Sequence, residues 1–285
     1  MTPIQYCYEK TKLSKSNFLW AFYFINKTRR DALVSLYAFC REIDDVVDTH
    51  LDYEVATQKL HWWRDEINRL FHNTAQHPVT QSLKNYIDQY ELNEAYFLEL
   101  IDGMEMDLKF NRYENFKQLQ LYCYRVAGVV GILSVKILGF KNRNTLKYAH
   151  DLGIALQLTN IIRDIGEDAR KNRIYIPLDE LKQFKVSEED ILKLRENKHF
   201  SNLIMHQIDR ADIFYRNAYQ KLPKEDINQQ IPGLIMSGIY ETLLGEIKRD
   251  RPEEIINHKV LLPPIRKLLV ILKTFIKYKY YALSK

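Results

Sequence analysis

Apolar residues recur at helical spacing along almost the whole of this 285-residue chain, and nowhere do apolar and polar residues alternate for long enough to specify a sheet. That periodicity restricts the fold to all-α. Nine glycines and eight prolines are too few for a turn-rich strand protein or a low-complexity chain. The pattern predicts helices over residues 16–26, 30–49, 54–71, 79–90, 93–110, 115–138, 145–168, 198–221, 232–247 and 260–281. Breakers stand at the joints: Pro78, Gly139, Pro177, Pro223, Pro252 and the pair Pro263 and Pro264. No linker and no repeat of fixed period divides the chain, so residues 1–285 read as one helical-bundle domain.

Two of these helices carry carboxylates where apolar residues belong. On a wheel of the segment RDALVSLYAFCREIDDVVDT, Leu33, Leu36, Tyr37, Phe39, Cys40, Ile43 and Val47 share one side. Asp31, Ser35 and Glu42 fall on the other, as a solvated face should. Asp44, however, lies within the apolar arc and Asp48 at its edge one turn on, so two like charges point inward as neighbours. Burying them without a counter-charge costs several kcal/mol, which implies a cation. In GIALQLTNIIRDIGED, Gln157, Asn160, Asp164 and Asp168 form a polar strip inside an otherwise apolar helix. All four offer oxygen, the donor preferred by hard divalent ions such as magnesium, which complete their shells with phosphate. Neither strip contains histidine or cysteine, so zinc and copper are disfavoured. A di-iron bundle needs two Glu-x-x-His motifs, and the chain has one, Glu196 to His199, in a polar stretch.

Composition narrows the partners further. The net charge of +5 suits anionic ligands without marking a nucleic-acid binder. Cys7, Cys40 and Cys123, an odd number at unrelated spacings, indicate neither a disulfide framework nor a zinc site and fit a reducing cytoplasm. Residues 1–15 lack the apolar core of a signal peptide. The run Leu268 to Ile276 is too short to span a bilayer, but the lysines and tyrosines that follow suit peripheral contact with an anionic membrane face as well as they suit a solvated tail. With 19 tyrosines, 13 phenylalanines and three tryptophans, the chain has more rings than a plain bundle core requires, which predicts a ring-lined interior space.

At these positions the chain resembles the squalene and phytoene synthase family. The resemblance runs through LYAFCREIDDVVD (36–48), WWRDEI (62–67), LIDGMEMDL (100–108), YCYRVAGVVG (122–131), LQLTNIIRDIGED (156–168) and RIYIPL (173–178). Within the family, YCYRVAGVVGILSVKILG together with LIDGMEMDL is most similar to the bacterial presqualene diphosphate synthases of hopanoid biosynthesis; phytoene and dehydrosqualene synthases are close relatives.

The resemblance implies an isoprenoid-synthase bundle with a central apolar cavity. It implies a magnesium-dependent prenyltransferase that joins two farnesyl diphosphates head-to-head to presqualene diphosphate, with no NADPH and no nucleic-acid partner. Asp44 and Asp48 match the first metal motif, and Asn160, Asp164 and Asp168 the second. Arg41 and Arg163 match positions that meet diphosphate oxygens. Gln157 and Tyr124 match positions lining the reaction centre, the released diphosphate with a tyrosine such as Tyr124 nearby being a candidate proton acceptor, and Tyr37, Tyr240 and Phe18 match substrate-contacting positions. Near Phe18 the family's serine-rich stretch is only partly kept, since Ser16 and Phe18 flank Asn17. Asp102 and Asp107 read as structural hydrogen-bond partners, and Arg41 can equally pair with Asp45. The charged segment Ala169 to Tyr175 is expected to be mobile and to close over the metals. A full squalene synthase using NADPH is one alternative, and a catalytically silent isoprenoid-binding scaffold is another.

Overall fold

The computed structural model describes residues 1–13, 25–49, 52–195, 197–249 and 252–283, and every regular element in them is a helix. In chain order these are α1 (Pro3–Leu13), α2 (Lys27–Asp48), α3 (Tyr53–Phe71), α4 (Pro78–Ile87), α5 (Glu94–Lys109), α6 (Phe116–Cys123), α7 (Val129–Leu138), α8 (Asn144–Arg170), α9 (Leu178–Gln183), α10 (Glu188–Leu192), α11 (Phe200–Lys221), α12 (Ile231–Arg249) and α13 (Pro264–Leu283). The expected helix over 16–26 falls mostly outside the described residues, and Phe18 with it.

Helix starts are set by side chains that accept from otherwise unpaired backbone N–H groups. Asn26, Asp52, Asn93 and Asn115 each do this at the head of α2, α3, α5 and α6. Between α6 and α7 the helix widens into a π turn, Tyr124–Gly128. Residues 116–138 are apolar and long enough to cross a bilayer, yet Leu119, Tyr122, Val129, Leu133 and Ile137 are buried in the protein core.

Helix α8 is the axis of the molecule. Helix α11 packs along it, where the hydroxyls of Thr159 and Tyr215 meet at 3.0 Å. Across α8 run the π turn and α7, so close that a Cβ on Gly153 would stand 2.4 Å from the Ala127 carbonyl oxygen and one on Gly131 2.4 Å from that of Ala149. Only glycine permits backbones to approach so nearly.

One expectation about α2 is overturned. Its supposed solvated face is covered: Asp31 is 6% exposed and Ser35 is fully buried. Helices α1 and α4 lie over it and supply polar partners. Asp31 accepts from the Tyr8 hydroxyl at 2.7 Å and Lys27 at 2.6 Å, Ser35 and Ser82 share a 2.7 Å bond, and Glu42 accepts from Tyr6 at 2.7 Å and pairs with Lys10 at 3.0 Å. A polar face can be buried cheaply when each group keeps a partner. Helix α1 itself is short and of mixed composition, and it packs Cys7 into the core while its Tyr6, Tyr8 and Lys10 meet polar groups of α2.

Candidate active site

Helices α2, α5, α7, α8 and α12 and the π turn enclose a cavity of about 440 Å³. Arg41 and Asp44 of α2 and Gln157, Asn160, Arg163 and Asp164 of α8 line it together, so one carboxylate of each acidic motif faces the same space, while Asp48 and Asp168 stand outside its lining. From Tyr148 to Asp164 the α8 wall is about 24 Å long. At one end are the charged groups; at the other are Leu33, Leu138, Tyr148, Gln230 and Gly233. Gln230 closes this end by donating to the Gly139 carbonyl at 2.8 Å, while the Tyr148 hydroxyl is buried without a hydrogen bond.

The charged end is held by the chain's own cations. Arg41 pairs with Asp44 and, at 2.6 Å, with Asp45, the helical neighbour it was expected to reach. Arg163 grips Asp164 through two nitrogens, one at 2.8 Å, and reaches Tyr240, while Lys259 meets Asp164 at 2.9 Å. Asp48, on the rim, is met by Lys171 at 3.2 Å and Arg173 at 3.6 Å. Arg173 also acts electrostatically on Asp168 and Asp107, which ties the two motifs together across the opening.

Negative charge is nonetheless in excess. Burial, opposed by Arg41 and reinforced by Asp48 and Asp107, pushes the Asp44 carboxyl up to about 6. Burial together with Asp164 and Asp107 pushes Asp168 up to about 7. Asn160 Oδ1 is buried without a hydrogen-bond partner. Among the described residues no three acidic, histidine or cysteine side chains converge as a ready-made cage. Oxygen donors carrying surplus charge, with an orphaned amide oxygen beside them, fit a divalent cation whose remaining ligands come from a bound phosphate.

Asp102 pairs with Arg64 and with Arg125 at 3.4 Å, away from the cavity. Asp107 accepts from the hydroxyls of Tyr122 and Tyr175 at 2.8 Å each, and its charge also bears on Asp44 and Asp168. Tyr37 and Tyr240 line the cavity. Tyr124 does not: it opens the π turn and its ring lies 5.6 Å from that of His150, whereas Tyr122, two residues earlier, is in the cavity wall. The rings of the lining are all tyrosines, Tyr37, Tyr122, Tyr148 and Tyr240. Phe39, Phe97, Phe71 and Trp63 instead pack edge-to-face in the core, so much of the aromatic surplus serves packing.

The expected mobile lid is pinned instead. Ile174 and Tyr175 are buried, the Ile174 N–H donates to the Asn111 carbonyl at 3.0 Å, and Tyr175 is tied to Asp107. Sequence reasoning overlooked the cations Lys171, Arg173 and Lys259 and the pair Tyr122 and Tyr175. Arg173 and Tyr175 stand in RIYIPL, where the alternation of charged, aromatic and apolar residues was the available signal.

An all-helical shell around one apolar chamber, with two acidic helix segments facing each other at its opening, defines the isoprenoid-synthase class. The chain belongs to the squalene/phytoene synthase family, whose sequence model matches residues 11–266. It is therefore a prenyltransferase, of a family that generally depends on divalent metal. It is 34% identical to the phytoene synthase of Arthrospira platensis over 85% of this chain and 82% of that one. It is 30% identical to the 15-cis-phytoene synthase of Synechococcus elongatus over 94% and 92%. The chain spans 55% of the longer chloroplast phytoene synthase of an Oncidium hybrid, at 35% identity. Squalene synthase HpnC from Alicyclobacillus acidocaldarius superposes with a TM-score of 0.80 at 26% identity, covering 88% of this chain and 94% of that one. A dehydrosqualene synthase solved with a ligand shares the fold with a TM-score of 0.84 at 24% identity, covering 98% and 97%.

Proposed function

We propose that this protein condenses two farnesyl diphosphates head-to-head into presqualene diphosphate. The observation that carries the reading is a single cavity, charged at one end and closed at the other by Tyr148 and Gln230, that suits tails inside and diphosphates at the opening. Magnesium held by Asp44, Asp48, Asn160, Asp164 and Asp168 would supply the charge that draws electrons from a departing diphosphate. Arg41 and Arg163 bind diphosphate oxygens through planar guanidinium forks. The C–O bond of one substrate breaks with its electron pair leaving on the diphosphate, the double bond of the second attacks the allylic cation, and loss of a proton to the departed diphosphate closes the cyclopropane. Tyr37 and Tyr240 line the cavity, where aromatic rings stabilise a cation without trapping it, and the apolar walls keep water away.

Phytoene synthesis is the second reading, favoured by the names of the curated relatives. The test is incubation with magnesium and either farnesyl or geranylgeranyl diphosphate, without nicotinamide, followed by mass spectrometry. Presqualene diphosphate from the shorter substrate is expected. Phytoene from the longer one, with the shorter left unused, would replace the first reading by the second. Shortening the floor side chain with Tyr148→Ala is expected to raise use of the longer substrate at least about tenfold relative to the shorter, an energy difference of ~1.4 kcal/mol.

A further inference from the structure

Helix α13 packs on α12 by one face, where Thr274 and Val270 lie against Gly238, and Ile271 is buried. The opposite face is apolar as well. Ile265, Leu268, Leu269, Leu272, Ile276 and Tyr280 fall within about 120° of one another on the helix, and all are exposed, Ile265 and Tyr280 to 75% and Ile276 to 64%. An outward stripe of this kind on a surface helix marks a contact site. The same helix carries five basic residues, Arg266, Lys267, Lys273, Lys277 and Lys279, and no acidic one. Among the described residues Lys267 and Lys273 pair with no carboxylate.

We propose that α13 is the surface by which the protein rests on an anionic lipid bilayer, its apolar stripe in the acyl region and its lysines against the headgroups. Charge decides the occupant. A second copy docked through the same stripe would set Lys273, Lys277 and Lys279, which flank it, against their copies, whereas an anionic surface complements them. A bilayer takes up the apolar stripe without a shape-matched partner, because an amphipathic helix buries it among lipid chains. This goes beyond the prenyltransferase reading and does not depend on it.

The test uses the full chain and vesicles made either of phosphatidylcholine alone or of an equal mixture with phosphatidylglycerol. Co-sedimentation with the anionic vesicles, weakened by high salt, is expected. Leu269→Glu combined with Ile276→Glu should lower the bound fraction by about tenfold or more. Lys273→Glu combined with Lys277→Glu should do so by a similar factor on anionic vesicles, and it serves as the test if the first pair fails to fold. Melting temperature and turnover of dispersed farnesyl diphosphate should stay at wild-type values in both. The proposal is overturned if anionic vesicles leave the protein in the supernatant or neutral vesicles capture as much. It is also overturned if the glutamate pairs sediment like wild type, or if the wild type is a dimer that they dissociate.

Discussion

The two acidic motifs face the same chamber but are prepared differently. On α2, Asp44 and its partner Arg41 are about a third exposed, at 36% and 31%, and the pair lies along one helix. On α8, Asp164 is 19% exposed and is held by Arg163 beside it and by Lys259 from a distant segment. Burial works against ionisation of Asp164, but Arg163 and Lys259 overcome it and hold the carboxyl below its usual range. One turn on, Asp168 has the opposite fate, pushed up to about 7 by burial and by its acidic neighbours. On α2 Arg41 only partly offsets burial, and Asp44 stays raised to about 6 beside its one arginine. The α8 motif holds one carboxylate below its usual range and leaves the next raised and in need of a partner.

Substitutions can break this contrast. The largest effect is expected from Asp164→Asn and Asp48→Asn, each lowering kcat/KM for farnesyl diphosphate by about 10²–10³-fold or more. Circular dichroism should show both folded, and near-wild-type rates in either would remove the motifs from the chemistry. Next, removing the arginines should cost unequal stability. Arg163→Ala leaves Asp164 short of its bidentate partner in a half-buried place, a loss of about 2–3 kcal/mol in urea unfolding, whereas Arg41→Ala at the open motif loses under ~1 kcal/mol. Equal losses would dissolve the distinction.

The smallest effect is a pH dependence. A carboxyl whose folded-state pKa lies above its unfolded value binds its proton more tightly when folded. Ionised Asp168 therefore lowers stability above about 7, less as pH falls through 7, and not at all below the unfolded value near ~4. In metal-free buffer Asp168→Asn should raise Tm at about pH 8, with the gain fading towards pH 4. Asp164→Asn should lower Tm at the higher pH, since a depressed carboxyl stabilises above its unfolded pKa and loses that contribution as pH falls. Magnesium should raise the wild-type Tm at about pH 8 and change that of Asp168→Asn less.

Much of this was legible in the residues. The long helices follow from their apolar periodicity, and the inward aspartates from their misfit with it. What escaped has physical reasons. Asp31 and Ser35 look solvated on a wheel because a wheel shows one helix, whereas their polar partners, Tyr8 and Ser82, come from α1 and α4. Tyr124 sits where the chain makes a π turn, so helical phase does not carry through it, and Tyr122 takes the wall position instead. Lys259 is 95 positions from Asp164, and only the folded chain brings them to 2.9 Å. The charged segment after α8 resembles a loose loop in composition; its buried Ile174 and Tyr175 anchor it.

The crossing of α7 and the π turn over α8 sets a limit on how this enzyme can vary. Ala127, Gly131, Ala149 and Gly153 present main chain and at most a methyl group to the interior. That side of the chamber therefore has no long rotamers to swing aside for a bulkier guest, and any added side chain would pry two helices apart. Tolerance for different tails is left to the movable groups at the far end, so selection for a new substrate should change that plug while leaving the rigid flank alone.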